Sequence, residues 1–440
     1  MYFRCVGSLS ELVGDEGLLR LPSHIFSSFV FDDLRRDVIE SAVNVLLSGG
    51  AVIISGSPGT GKTALMAMVL KELVDRGYKI CYLIGNYVSI DHVREGAVIF
   101  VDDLPRLDCK LLGDIVRNRV GLIIATARSE ELAYVSRLVG IDFSSHFRIF
   151  EIERMSDEHL REMLLRYADS ENVPIVDREA VDVVVSKAQG LPVYVWQVIR
   201  ELRIRNAGLA TDFAKTIPRG MYDYVDTILW RVLGGYKHRY EILLLLRIIA
   251  DLPGYSAHQD LYNALYIAIR RSFAGQYIPK ENILVDDVFN AITRYLAREG
   301  VSFSFRLPHD SWADVLRGMS NGPISAEIAN INSLFPKKKR RKLLVNALRI
   351  ACEEIISETE DFLRVEAFKD FVKKVFSEEE INLVGVGSYI AKAPRTHETK
   401  PVEKLAVAVS LPKEIREPKR VVEVPSFDIL LDRVSRAESI

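Results

Sequence analysis

The sequence predicts an α/β fold over residues 25–152, a parallel sheet with helices on both faces, followed by units that are mostly helical. Three observations carry this expectation. Short apolar runs recur at Ala51–Ser55, Lys79–Ile84, Ala97–Val101, Gly121–Thr126 and Phe147–Ile152, with helical patterns between them. Ala51–Ser55 is apolar without interruption, as a strand buried on both faces should be. After Ile152 strand patterns give way to helical periodicity, and 440 residues exceed one ordinary core.

The elements follow in order. Residues 1–24 form an N-terminal segment, and MYFRCVGSLSELVG lacks the basic region and long apolar run of a signal peptide. In 31–50, Leu34, Ile39, Val43 and Leu46 recur at helical spacing before Gly49–Gly50. Lys62–Arg76 repeats the pattern with Leu65, Val69 and Leu73, and stops at Gly77. Residues 153–215 read as a helical lid: Ser156 can cap a first helix, a second starts near Asp177, and a third follows Gly190–Pro192. Residues 216–320 hold helices around His238–Ala250, Ala257–Ser272 and Asp286–Glu299, then the strand-like Val301–Leu307. Helices followed by a short strand pair are the pattern of a winged-helix domain. Residues 321–390 form a helical extension that includes Lys338–Ser357, and 391–440, rich in Pro, Lys and Glu, read as a flexible tail. Within that tail, Ser426–Ala437 could form a short amphipathic helix.

Composition excludes several classes. Hydrophobic residues make up 48% and charged residues 27%, and the net charge is -2, so a nucleic-acid surface would have to be a local patch. Cys5, Cys81, Cys109 and Cys352 show no CxxC spacing, which predicts a reducing compartment with neither a zinc site nor a disulfide framework. The most apolar stretch, Ile242–Ala250, is too short for a membrane span and contains Arg247, so a soluble cytoplasmic protein is expected. Glutamine occurs only at Gln189, Gln197, Gln259 and Gln276 beside many charges, a composition that fits a thermophile.

The chemistry concentrates at GSPGTGKT, residues 56–63, between the strand Ala51–Ser55 and the helix from Lys62. This is the GxxxxGK[ST] spacing of a phosphate-binding loop. Gly56, Gly59 and Gly61 permit backbone angles that turn successive N–H groups inward, and Ser57, Pro58, Thr60 and Ala64 complete the cradle. Lys62 would reach the β and γ phosphates, and the Thr63 hydroxyl would bind Mg²⁺. The positive end of the following helix adds to the attraction. Asp102 ends the apolar strand Ala97–Val101, whose C-terminal edge should lie beside the loop, and is the candidate second metal ligand. Asp103 is then the candidate to orient or deprotonate the attacking water.

GSPGTGKT, VIFVDD, Thr126 in IIATAR and the helical lid together resemble the AAA+ superfamily, specifically the archaeal ATPases related to the origin-recognition initiators and the STAND-type ATPases. The resemblance spans roughly residues 25–320 and implies ATP, with adenine expected because no guanine-reading N-K-x-D is present. It implies that Thr126 is a catalytic sensor near the γ-phosphate and that Arg128 faces the same pocket or solvent. It also implies that Pro192, in Gly190–Leu191–Pro192, packs against the nucleotide, and it makes His309 of Pro308–His309–Asp310–Ser311 a candidate sensor. The bland reading of that last phrase is helix-start chemistry, with Ser311 and Asp314 as a capping box.

Departures from the motor pattern point to slow hydrolysis. Asp103 stands where motors usually carry Glu, and is shorter by about 1.5 Å of reach. His146 stands where many motors place an arginine finger, with Arg148, Arg137 and Arg119 as weak substitutes. Val193 stands where a lid arginine is common. The expected function is therefore Mg-dependent, slow ATP hydrolysis coupled to a conformational switch. The alternative is an ATP-gated DNA-binding or DNA-loading protein. Its candidate contacts are the six consecutive cations Lys337, Lys338, Lys339, Arg340, Arg341 and Lys342, because Asp286–Glu299 mixes Arg294 and Arg298 with acidic residues. A protein partner recruited through Phe427–Leu431 and a nucleotide-dependent homo-oligomer complete the expected partners.

Overall fold

The computed structural model describes residues 2–386 except 7, 15–18, 20, 85–96, 105–112, 114–116, 118–121, 237, 276–291, 293–294, 300–302 and 357–360. The expected tail with Ser426–Ala437 and Phe427–Leu431, Cys109, Arg119 and most of the helix expected at Asp286–Glu299 lie outside the described residues.

The first unit is a six-stranded sheet built from β1 (Tyr2–Val6), β2 (Ala51–Gly56), β3 (Lys79–Ile84), β4 (Ala97–Val101), β5 (Leu122–Ala127) and β6 (Arg148–Ile152). Its order is β1-β3-β4-β5-β2-β6, with β2 to β6 all parallel and β1 antiparallel at the edge. Strand alternation sorts the side chains by face. Val52, Ile54, Phe100 and Ile124 join the core beneath α2 (Asp33–Leu47) and α3 (Lys62–Asp75), which follow the short α1 (Ile25–Ser28). Ile53, Ile99, Ile123 and Ala125 face the other way, toward Val135 and Val139 of α4 (Ser129–Val139). Both faces are therefore buried, as uninterrupted apolar runs require.

One consequence of this order positions the site. Because β5 lies between β2 and β4, the loop after β2, the end of β5 and the end of β4 sit side by side along one sheet edge.

The helices α5 (Asp157–Ser170), α6 (Arg178–Ala188), α7 (Pro192–Arg205), α8 (Thr211–Thr216) and α9 (Met221–Leu233) come next, with Ser156 capping α5 by accepting from the His159 amide. Then come α10 (Arg239–Ile249), β7 (Ser256–His258), α11 (Gln259–Ala274), β8 (Ala297–Glu299) and β9 (Ser304–Arg306), whose strands form an antiparallel sheet ordered β7-β9-β8. This corrects two expectations. Ala297–Glu299 and Ala257–His258, both assigned to helices from periodicity, are strands. Cross-strand pairing overrides local pattern here, since each element is only 3 residues long and takes its backbone partners from β9. The chain ends, among described residues, with α12 (Asp310–Leu316), α13 (Pro323–Leu334), α14 (Lys337–Ile350) continued by a π-turn at Ala351–Ile355, α15 (Phe362–Val375) and α16 (Glu378–Leu383). No helix among the described residues is long and apolar enough to cross a membrane.

A second correction concerns sulfur. Cys81 is disulfide-bonded, contrary to the expectation of reduced cysteines. Spacing in sequence could not reveal it, because a ladder places Cys5 of β1 opposite Cys81 of β3 across a long loop. Peptide mapping without reduction is expected to find the peptide that holds Cys81 joined to a second cysteine-containing peptide. Reduction should then lower stability, read as a drop in the unfolding midpoint.

Candidate functional site: a phosphate loop closed by lid and C-terminal helix

At the end of β2 the chain turns through Gly56, Gly59 and Gly61, whose φ values of 155°, 81° and 94° favour glycine. Thr60 is buried and donates from Oγ1 to the Ser57 carbonyl at 2.9 Å, holding the turn shut. Gly61 is the left-handed N-cap of α3, so the helix opens with amides free of a side-chain cap and its positive end at the loop. Lys62 Nζ donates to the carbonyls of Gly56 at 3.0 Å and Ser57 at 2.9 Å. Burial lowers its pKa, and the repulsion of Arg128 adds to that, while Asp310, Asp103 and Asp102 oppose it.

The acidic partners converge as the sheet order requires. Asp102 Oδ1 accepts from Thr63 Oγ1 at 2.9 Å and from Thr126 Oγ1 at 2.8 Å. The Thr126 oxygen in turn accepts the Asp103 amide at 2.8 Å. Asp103 sits at φ 67°, a left-handed backbone uncommon outside glycine, and this hydrogen bond helps to hold it there. Thr63 and Asp102 form an oxygen pair of the kind that holds Mg²⁺ beside phosphates.

The start of α7 meets the loop directly. Gly190, at φ 78°, accepts the Met155 amide at 2.9 Å, and Pro192 and Val193 open α7 against the glycines. The Val193 amide donates to the Gly59 carbonyl at 3.3 Å, and a Cβ on Gly59 would come within 2.5 Å of Val193 Cγ1. Pro192 lies near Gly61, its Cγ 3.9 Å from where a Cβ would be. The residue in the expected arginine position thus packs on the loop rather than carrying charge toward it.

Two contributors escaped sequence reading. Arg35 is buried and ion-paired with Asp32, the N-cap of α2, and its Nη2 donates to the carbonyls of Thr60 at 3.0 Å and Glu153 at 3.1 Å. A signal was present, since Arg35 interrupts the apolar stripe of Val38, Ile39 and Ala42. The second is α12. Arg128, at the end of β5, is buried, and its Nη2 reaches Asp314 Oδ2 at 3.2 Å and Asp310 Oδ2 at 3.6 Å. Burial works against the Arg128 charge, yet the two carboxylates more than offset it and raise its pKa. The N-cap of α12 is His309, whose Nδ1 accepts the Ser311 amide at 3.2 Å, so the expected capping box of Ser311 and Asp314 is replaced. Asp314 is buried against the arginine instead. His146, just before β6, and Arg148, at its start beside Val52 of β2, are exposed at the end of these strands opposite the loop, and Arg137 is exposed and donates to the Ala133 carbonyl at 3.3 Å.

The basic run is not one surface. Arg340 is buried in α14, donating to Asp251 Oδ2 at 3.1 and 2.9 Å and to the Phe335 carbonyl at 2.8 Å. Arg341 binds Glu380 Oε1 at 2.6 Å and lies over the Phe376 ring. Helical geometry buries Arg340 and sets Arg341 partly exposed in an ion pair, while Lys337, Lys338, Lys339 and Lys342 are exposed.

With this geometry in view, the comparisons with known proteins can be placed. Residues 34–104, from α2 to just past Asp103, match the family described as novel STAND NTPase 3. The chain is similar to the Thermotoga maritima RuvB Holliday junction branch migration motor at 19% identity, over 61% of this chain and 90% of that one, with a TM-score of 0.33. It is similar to domain III of the T. maritima replication initiation protein DnaA at 14% identity, over 44% and 94% of the two chains, TM-score 0.33. A chain of the S. cerevisiae Hsp104:casein complex aligns at 16% identity, over 57% and 51%, TM-score 0.35. No curated protein matches it. The family match covers the loop and the acidic strand end, and with them the chain is a P-loop ATPase.

Two outcomes test this description. Gly59→Ala should strain the backbone and push Val193 away, weakening nucleotide binding by about tenfold or more in a titration, while Gly77→Ala strains an exposed turn and leaves binding intact. Separately, the Arg341 hydrogen bond holds the Glu380 carboxyl down at about 2. A depressed carboxylate stabilises the fold above its unfolded value and loses that contribution as pH falls through the folded one. Glu380→Gln should therefore flatten the decline in thermal midpoint between pH 4.5 and about 2.

Proposed function

We propose that the protein is an ATP-driven conformational switch, with slow Mg-dependent hydrolysis and with lid and C-terminal helices that sense the nucleotide. One observation carries this reading: three separate pieces of chain meet at the phosphate loop. They are the loop with Lys62, the start of α7 through Val193, and α12 through Asp310 and Arg128. A nucleotide bound there touches or charges all of them at once, so its presence biases their arrangement. In this reading 153–215 is the lid, and 216–320, with the β7-β9-β8 sheet, is a winged-helix domain.

Lys62 holds the phosphates, Thr63 and Asp102 hold Mg²⁺, Asp103 orients the attacking water, and Thr126 fixes Asp103 through its amide. The metal would supply charge neutralisation on the phosphates. The ring of contacts favours a switch over a motor, because Val193 and His146 bring no permanent charge to the site.

The DNA-binding alternative keeps one supporting observation. Exposed lysines at the start of α14 adjoin exposed Leu334 and a stacked Phe273–Phe335 pair with centroids 5.5 Å apart, a mixture that suits phosphate and base contacts. Neutralising Lys337, Lys338, Lys339 and Lys342 together would abolish salt-dependent DNA binding under that reading. For the switch, purified protein should bind ATP and turn it over well below the ~10 s⁻¹ typical of enzymes, and Lys62→Ala should abolish both. Partner-free turnover at motor rates would overturn it.

A further inference from the structure

We infer that Arg35 is a positioning residue of the phosphate site: by holding the Thr60 carbonyl it aims the Gly61 amide at the phosphates of the nucleotide. The inference rests on the phosphate-loop reading and does not depend on the switch.

Arg35 lies in the first turn of α2 and is 2% exposed, and its guanidinium is divided among three partners. Nη1 pairs with Asp32, the residue that caps the same helix. Nη2 donates to the Thr60 carbonyl at 3.0 Å and to the Glu153 carbonyl at 3.1 Å. Glu153 follows Ile152, which stands opposite Gly56 where the loop begins. The loop is thus tied to β6 twice, by strand pairing at Gly56 and by one nitrogen at Thr60. A lysine could not do this, because a single ammonium cannot span a carboxylate and two carbonyls as a planar fork does.

A trans peptide points its carbonyl and the next N–H in opposite directions. With the Thr60 carbonyl turned toward Arg35, the Gly61 amide must face away from it. A loop of this spacing presents such amides to the α and β phosphates. The Thr60 amide is already used on the Ser57 carbonyl at 3.4 Å, and among the described residues no backbone carbonyl accepts the Gly61 amide. Gly61 is also the N-cap of α3, so this amide stands at the positive end of the helix. At φ 94° a glycine can turn its peptide plane at little steric cost, and a fixed carbonyl on one side removes that freedom.

Nucleotide titration and NMR on the full-length protein, isotopically labelled at glycine, test this. In the wild type the Gly61 amide signal should shift at saturation with ADP and Mg²⁺. Arg35→Lys should weaken ATP and ADP by the same factor, about tenfold, because both carry the phosphates that the loop amides hold. It should also lose the Gly61 shift at saturation while the signal of Gly77, outside the loop, stays in place. Arg36→Lys, on the exposed neighbour, should change neither readout. Asp32→Asn keeps a good helix cap but removes the charge that orients the guanidinium, so it should show the same pattern to a smaller degree. That variant decides the matter if Arg35→Lys fails to fold. Wild-type affinity with a wild-type Gly61 shift in both variants overturns the positioning role and leaves the ATPase reading intact. So does a loss of affinity that comes with displaced glycine signals throughout the fold. Absence of nucleotide binding in the wild type overturns both.

Discussion

Oδ1 of Asp102 takes hydroxyl donors from two different elements, Thr63 at the start of α3 and Thr126 at the end of β5. Three elements are thereby registered on one atom: the strand that carries the acid, the helix that carries the phosphate loop, and the strand between them. A shift of any one by a residue would replace a hydroxyl with a side chain of the opposite face, since strand side chains alternate. The Asp103 amide on Thr126 extends this registration to the next residue and holds it in an unfavourable backbone region. Sheet order is therefore a condition of the chemistry, because only with β5 between β2 and β4 can one threonine reach both aspartates.

Around that atom the loop is held by packing more than by charge. Arg35 binds the Thr60 carbonyl and the Glu153 carbonyl together, so the loop and the segment entering the lid share one buried cation. Val193 closes over Gly59 from the other side. An alanine at Gly59 would occupy the space that Val193 fills, so the glycine serves two ends: it allows the left-handed turn, and it lets the lid approach. The lid is mechanically continuous with the loop for this reason.

The α/β core was legible in the sequence because its signals are local. Apolar runs of five or six residues, glycine-rich spacing and a strand ending in Asp-Asp each depend on neighbours within a few positions. What escaped depends on distant partners. Ala297–Glu299 is strand because β9 pairs with it, not because its side chains demand it. Arg340 reads as one of six cations, yet Asp251, far away in sequence, draws it inward. Cys81 is disulfide-bonded, which no spacing rule records. In the site, Asp102 and Lys62 were readable from the motif, whereas Arg35, Asp310 and Asp314 acquire their roles only when chain segments separated by up to 186 residues meet.

The distribution of permanent charge explains why the site is built this way. The positions expected to carry arginine in a motor hold His146, exposed just before β6, and Val193, packed on glycine. The arginine whose charge acts on Lys62, Arg128, is engaged by Asp314 and Asp310 of α12. A guanidinium cannot lose its proton to resolve a conflict between two anions, so it must choose between them by position. Burial disfavours the charged form of Asp314, and the Arg128 guanidinium is the counter-charge that offsets this.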